Sequence, residues 1–393
     1  MTITTIHKPL DGILVLDFSQ FLSGPSAALR LADLGARVIK IERSGTGDIC
    51  RTLYISNMEL DGDSTLFHSI NRNKESFAVD LKNTDELETV KTLIRKADVL
   101  IENFRPGVME RLGLDYKQVQ EINPSLIYGE ITGYGHEGPW RDRPGQDLLV
   151  QSLTGLAWLN GDADQPPMPF GLAIADMMAG AQLVQGILAC LVRRGLSSEG
   201  SFVQASLLEA TLDFQFEVLT TYLNDGGKLP ERSSIHNAHA YLRAPYSIYK
   251  TKDGYIALAM GSVLELGKLL ECKALMTYTD PNEWATKRDE IKRILAEHLQ
   301  NESTQRWLSI LEPADYWCAD VMSWDQLLLH EGFKTLNMTQ LITRNNGTSL
   351  LTTRCPIRID GQMFTSTIGS PKLGQDNLSI MKELAGNERI EKG

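Results

Sequence analysis

Between residues 12 and 135 short apolar runs alternate with stretches of helical spacing, and this alternation is the tightest restriction on the fold. GILVLDF (12–18), ARVIKIE (36–42), DVLIEN (98–103) and NPSLIYGEITGYG (123–135) read as strands, the last running into a turn. GPSAALRLADLG (24–35) has proline near a helix start and Gly35 where a C-terminal cap would sit. DELETVKTLIRKA (85–97) has helical spacing with mixed surface charge. Strands joined by helices predict a parallel, doubly wound α/β sheet of Rossmann type, with ligands beyond the carboxyl ends of the strands.

The pattern changes near residue 195. RRGLSSEGSF (193–202) reads as a turn-rich loop, VQASLLEATLDFQFEVLTTYL (203–223) as a long helical stretch and NDGGKLPERSS (224–234) as a polar linker. YSIYKTKDGYIALAM (246–260) predicts an antiparallel hairpin around its KDG turn, residues 283–311 read as helical, and CPIRIDGQMF (355–364) as another hairpin. A chain of 393 residues exceeds the ~250–300 that one core usually serves. The expected domains are a large α/β domain over 1–196, a linker over 197–231 and a small α+β domain over 232–318. The remaining segment, 319–393, is expected to act as a linker and return to the large domain.

Charge and motif content remove several chemistries. A net charge of −11 without a basic run argues against nucleic acid as a partner. Five scattered cysteines, none in a C-x-x-C arrangement, point to a reducing compartment. The first twenty residues lack the pattern of a signal peptide. The apolar stretch near 177–192 is interrupted by Gln182 and Gln185 and looks too short to span a bilayer, so no membrane partner and a cytoplasmic location are expected. The chain has no P-loop, no G-x-S-x-G elbow, no H-E-x-x-H and no G-x-G-x-x-G after the first strand. His236 and His239 form only H-x-x-H in a polar loop, and no metal site is expected.

Four stretches place cations directly after strands: VIKIERSGTGDICR (38–51), NRNKESFAVDLK (71–82), ADVLIENFRPGVMERLGL (97–114) and ITGYGHEGPWRDRPGQD (131–147). Together they suggest an anionic ligand with a flat aromatic part. Phe104 would face a base while Arg43, Arg51, Lys74 and Arg105 meet phosphates. A fifth stretch, FGLAIADMMAGAQLVQG (170–186), holds a single acid, Asp176, among apolar residues. A buried charge without partners costs several kcal/mol, so Asp176 is either a helix N-cap or a chemical group.

GPSAALRLADLGARVIKIERSGTGD, NRNKESFAVDLK, IENFRPGVMERLGL, NPSLIYGEITGYGHEGP and IADMMAGAQLVQGILACLVRR resemble, in order and spacing, the class III coenzyme A transferases. This family is also called the carnitine-dehydratase and bile-acid-inducible F type. It includes formyl-CoA:oxalate transferases and α-methylacyl-CoA racemases. The likeness is dense over 10–215, thinner through 244–261 and weak after about 330.

The resemblance implies that Asp176 is a nucleophile that takes an acyl group from an acyl-CoA donor as a mixed anhydride, which a small carboxylic acid, possibly dicarboxylic, then resolves. It implies CoA contacts through Arg43, Lys74, Asn103, Phe104 and Arg105, with Leu22, Ser23, Gln146 and Gly261 at the substrate pocket. CoA enters as substrate, and no permanently bound cofactor is implied. Leu22 and the single Gly261 depart from the oxalate-using pattern of a glutamine and a glycine run, which makes formyl-CoA:oxalate exchange less favoured. The racemase branch carries histidine where GQD has Gln146, and glutamine cannot take a proton at neutral pH. A racemase is therefore the weaker alternative, with His136 read as a loop residue. A CoA-binding protein without catalysis, in which Asp176 only caps a helix, is the alternative of another class. The family's architecture implies two interlaced ring-like chains in a homodimer, with the small domain reached by two long linkers.

Overall fold

The computed structural model describes residues 8–391, so the first seven of the twenty residues expected to lack a signal peptide lie outside the described residues. The chain divides into two compact units. The first comprises Met1–Val150, Ala173–Phe214 and Leu336–Gly393; the second comprises Gln151–Leu172 and Gln215–Thr335.

The first unit is built on a six-stranded sheet of β1 (Leu14–Asp17), β2 (Arg37–Arg43), β3 (Glu75–Val79), β4 (Val99–Glu102), β5 (Ile127–Thr132) and β6 (Ser201–Ser206). Every pairing in it is parallel, and the spatial order is β3-β2-β1-β4-β5-β6. The order reverses between β1 and β4, which opens a crevice at the carboxyl ends of those two strands. Helices α1 (Ser23–Asp33), α2 (Thr84–Lys96), α3 (Asp147–Leu153), α4 (Ile174–Ser197) and α5 (Leu207–Phe214) follow in chain order.

Both faces of this sheet are covered, which is why its strands read as continuous apolar runs. Val15, Val99 and Ile101 join Leu31 and Leu183 in one core cluster. Their neighbours Leu16 and Leu100 point the other way and join Val90, Ile94 and Tyr128 in a second. Helix α4 has 24 residues and is long and apolar enough, by those two measures, to cross a membrane, which corrects the expectation of a shorter stretch. Its Ala175, Ala179, Leu183, Val184 and Ile187 are instead spent on the core of this unit.

The expected linker over 197–231 is not one piece. SFVQAS forms β6, in register with β5 from Ile127 opposite Ser201 to Thr132 opposite Ser206. The helical reading of VQASLL missed the period-two alternation that suits a strand at the end of a sheet. The end of the chain also belongs here. It forms hairpins and then a helix over Asn377–Glu391 whose Ile380 and Leu384 complete the second core cluster.

The second unit contains α6 (Phe216–Asn224) and a three-stranded antiparallel sheet of β7 (Ser247–Lys250), β8 (Tyr255–Leu258) and β9 (Cys318–Asp320). Strands β7 and β8 form the predicted hairpin, with Tyr249 opposite Ile256. Helices α7 (Val263–Leu269), α8 (Arg288–Leu299) and α9 (Thr304–Leu311) supply Leu266, Leu295, Trp307 and Leu311 to its core. Residues 151–172 join this unit, contrary to the expected boundary at 196; Arg232 ties them in by donating to the Asn160 carbonyl at 2.7 Å.

Back in the first unit, β10 (Thr339–Thr343) and β11 (Ser349–Thr353) pair antiparallel, and Arg358–Ile359 pairs with Gln362–Met363. Helix α10 (Asn377–Glu391) begins with an amide that both accepts from and donates to the backbone of Ala78, each at 2.8 Å. That side chain satisfies an edge of β3 that would otherwise be open to a further strand.

Candidate active site

The crevice between the ends of β1 and β4 is shaped by the turn from Phe18 to Leu22. Lys40, fully buried in β2, donates to the Ser19 carbonyl at 2.7 Å and pairs with Asp48 at 2.8 Å. Phe21 adopts φ of +62°, a region that a bulky L-residue occupies only under strong constraint. The constraint is visible: its N–H donates to Asp48 Oδ1 at 3.3 Å and its carbonyl accepts from Cys50 Sγ at 3.3 Å. Asn103, one residue beyond β4, grips the backbone of Gln20 from the other side.

Two glycines let the surrounding backbones meet. A Cβ on Gly24 would fall 2.2 Å from Ser19 Cβ. A Cβ on Gly180 would fall 2.5 Å from Ser26 Oγ and 2.7 Å from the Ser23 carbonyl oxygen. Gly180 lies one helical turn after Asp176, so the start of α1 packs on the second turn of α4.

Asp176 stands inside that first turn. Helix α4 starts at Ile174, and Ala173 at the N-cap position makes no side-chain cap. The cap reading of Asp176 is therefore replaced: Asp147, at the start of α3, accepts from the N–H groups of Ala175 at 2.8 Å and Asp176 at 3.2 Å. Burial pushes the Asp176 carboxyl up to about 6, and the like charge of Asp147 adds to the rise; a hydrogen bond from Ser23 opposes it. No cation figures among the groups that act on it in the described residues.

Of the other expected site residues, Arg43, the last residue of β2, and Arg105, beyond the end of β4, are exposed. Phe104 is half-buried, packs on the second core cluster and donates its N–H to Glu102 Oε2 at 2.7 Å. Gln146 is exposed beside Asp147. Leu22 is half-buried and packs with Cys50, Phe67 and Ile70, which turns it toward a small satellite core. Gly261 lies in the second unit, where a Cβ would sit 2.6 Å from the Tyr316 ring, so close packing alone demands glycine there.

Two expected phosphate ligands are corrected. Lys74 is 4% exposed, and its three donors go to Asp17 at 2.8 Å, the Pro25 carbonyl at 2.9 Å and Asn71 at 2.9 Å. An ammonium has three donors, so none is left for a phosphate. Arg51 is likewise buried, bound to Glu42 and Asp63 and stacked 3.8 Å over Phe67. Both precede or follow a strand as a ligand-binding cation would, but their counter-ions come from distant sequence. His136, exposed, places Nε2 on the Glu130 carboxylate, and His236 lies 5.4 Å from the Tyr249 ring.

Asp147 and the contacts of Asn103 were missed. The acid is visible in GQD, but its partners lie 28 and 29 residues further on, and no local spacing announces them.

A model of CoA-transferase family III matches residues 10–377. The chain is 34% identical to Succinyl-CoA:glutarate CoA-transferase of Homo sapiens over 311 residues, 78% of this chain and 70% of that protein. It is 32% identical to Acetyl-CoA:oxalate CoA-transferase of Acetobacter aceti over an alignment of 405 residues, covering 99% of this chain and all of the relative (100%). A crystal structure of a CAIB/BAIF family protein from Brucella suis superposes with a TM-score of 0.84 at 30% identity, covering 96% of this chain and 100% of that one.

Proposed function

The chain belongs to CoA-transferase family III and is a CoA-transferase, and from that premise we propose that it moves CoA from an acyl-CoA donor to a small carboxylic acid through a mixed anhydride on Asp176. The observation that carries this reading is the setting of Asp176: half-buried in the first turn of α4 beside the like charge of Asp147, with no cation among the groups acting on it in the described residues, and with its carboxyl raised to about 6. Such a group is still mostly ionised at neutral pH, so it needs no general base. It is also more basic than an ordinary aspartate near ~3.9, which strengthens it as a nucleophile.

One Asp176 oxygen attacks the thioester carbon, the C–S bond breaks, and CoA leaves as thiolate; a thiol that ionises near ~8.5 needs little acid help. The thiolate and the incoming carboxylate then resolve the anhydride, releasing the donor acid and the new thioester and restoring the Asp176 carboxylate. One thioester replaces another, so the exchange is close to balanced. Arg43 and Arg105, both exposed at the carboxyl ends of strands, suit the phosphates of CoA, and Phe104 its flat base. The acceptor falls in the class of small mono- or dicarboxylic acids, in keeping with the glutarate and oxalate of the relatives' names. Helix α6 has no buried residue, and its Phe216 and Leu223 are 67% and 68% exposed, which supports pairing of two copies as a homodimer; sedimentation of the purified chain reads this directly.

The test omits the acceptor. Incubated with succinyl-, acetyl- or formyl-CoA alone, the protein is expected to release free CoA and gain the acyl mass on the peptide containing Asp176. Hydroxylamine should remove that mass as the hydroxamate. Acid exchange that proceeds with every donor while this peptide stays unmodified would discard the anhydride.

A further inference from the structure

Three polar side chains stand in a row across the carboxyl ends of β4, β5 and β6. Glu102 is opposite Glu130, and Glu130 is opposite Gln204. They lie two residues after Leu100, Tyr128 and Phe202, so the row shares the face of the sheet that carries the second core cluster. Adjacent strands run about 4.8 Å apart, which sets the two carboxyl groups side by side. They belong to residues 3% and 7% exposed, and among the described residues the ion-pair partner of the two is His136, on Glu130.

Two anions so placed repel strongly in a poorly hydrated interior, so one of the pair keeps a proton at neutral pH. The partners decide which. Glu130 Oε2 accepts from Gln204 Nε2 at 3.3 Å and pairs with the exposed His136, so the charge settles there. The proton stays on Glu102, whose Oε2 accepts the Phe104 N–H at 2.7 Å. Burial first and the neighbouring Glu130 second push the Glu102 carboxyl well above its usual range, which agrees with that placement. The other titratable groups facing the row are Tyr128, kept neutral by burial and by both acids, and Asp115, which acts on Tyr128.

The bond to Phe104 gives the row its use. It fixes the direction in which the chain leaves β4, where Asn103 grips the backbone of Gln20 and Arg105 emerges into solvent. We propose that Glu102 is a positioning residue held in its neutral form, which aims the 103–105 turn at CoA while Glu130 carries the charge of the pair. This inference rests on the placement of CoA at Phe104 and Arg105. A neutral carboxyl holds the turn without adding negative charge beside the phosphates of the donor.

The experiment compares Glu102→Gln with Glu102→Ala in the full-length protein, with free coenzyme A as the probe. Glutamine copies a neutral carboxyl, since its oxygen accepts and its nitrogen donates. By titration calorimetry at pH 7.5, Glu102→Gln should keep the Kd of CoA within about twofold. Glu102→Ala should weaken it ~10-fold, because the Phe104 N–H loses its acceptor. The infrared carbonyl band of a protonated carboxyl should be present in the wild type at pH 7.5 and lost in Glu102→Gln. The wild type must hold on folding a proton that the unfolded chain releases near ~4.3. The urea midpoint of Glu102→Gln should therefore exceed the wild-type value by a margin that widens from pH 4.5 to 8. A margin that narrows over this range overturns the proposal, as does a Glu102→Gln variant that binds CoA as weakly as Glu102→Ala or keeps the band. If Glu102→Ala does not fold, the pH series of Glu102→Gln decides. An Arg105→Ala variant with the wild-type Kd would instead fail the placement of CoA, and the positioning role with it, while the retained proton stands.

Discussion

Asp17, fully buried, and Asp176, half-buried, both lie in the first unit, and they end in opposite states. At Asp17 burial works against the charge, but Lys74 at 2.8 Å and Lys40 at 3.8 Å outweigh it, with help from the Ser19 hydroxyl, and the carboxyl stays below its usual range. At Asp176 no cation among the described residues opposes burial, Asp147 adds a like charge, and Ser23 pulls the other way too weakly, so the carboxyl rises to about 6. The partner set, more than burial, sets the direction in which each carboxyl is moved. An anion matched to two ammonium groups is too satisfied to attack anything.

The comparison breaks most visibly at Asp176 itself. Asp176→Asn should lower acid exchange by ~10⁴-fold, as for other essential nucleophiles, with thermal unfolding still cooperative. A variant within tenfold of wild type, measured by chromatography of the new thioester, would put Asp176 back among the structural acids. Next in size, Lys74→Met should cost about 3 kcal/mol in urea unfolding, because Asp17 keeps only the more distant Lys40. Its donor KM should be unchanged; a tenfold rise in KM at unaltered stability would return Lys74 to the CoA ligands.

A pH series sharpens the same contrast. Folded Asp176 holds its proton up to about pH 6, whereas the ordinary carboxyl releases it near 3.8. The protonated form therefore favours folding below about pH 4, and that contribution is lost as pH rises through 6. At neutral pH the ionised group costs the fold about 3 kcal/mol. Asp176→Asn should accordingly stabilise the protein at pH 7.5 and do so less at pH 4.5, read as the difference in unfolding free energy. The smallest effect belongs to Asp147→Asn. Removing the like charge should bring the acid limb of acylation below 6, while the amide oxygen still caps α4 at a loss of under ~1 kcal/mol. An upward shift would show that Asp147 does not act on Asp176 through its charge.

Much of this molecule was legible in one dimension. The runs at 12–18, 36–42 and 98–103 contain strands because a sheet covered on both faces needs consecutive apolar residues, and that need is local. Strand β6 was harder, since VQASLL suits a helix equally well and only the free edge of β5 chose otherwise. Asp176 stood out because a lone acid in an apolar run is costly wherever it folds. Arg43 and Lys74 looked alike, each a cation at a strand end, yet one is exposed and the other is enclosed by Asp17 and Asn71.

By itself the sequence determined the parallel sheet, the position of its ligand crevice and the residue most in need of an explanation, because periodicity and transfer cost are properties of neighbouring side chains. Tertiary structure alone decided which cations face solvent, that Asp147 caps α4 in place of Asp176, and that Asn103 reaches Ser23. Those outcomes depend on charges and donors tens of residues apart meeting within 3 or 4 Å. Electrostatic and hydrogen-bond energies at that range follow distance in space, which spacing along the chain does not encode.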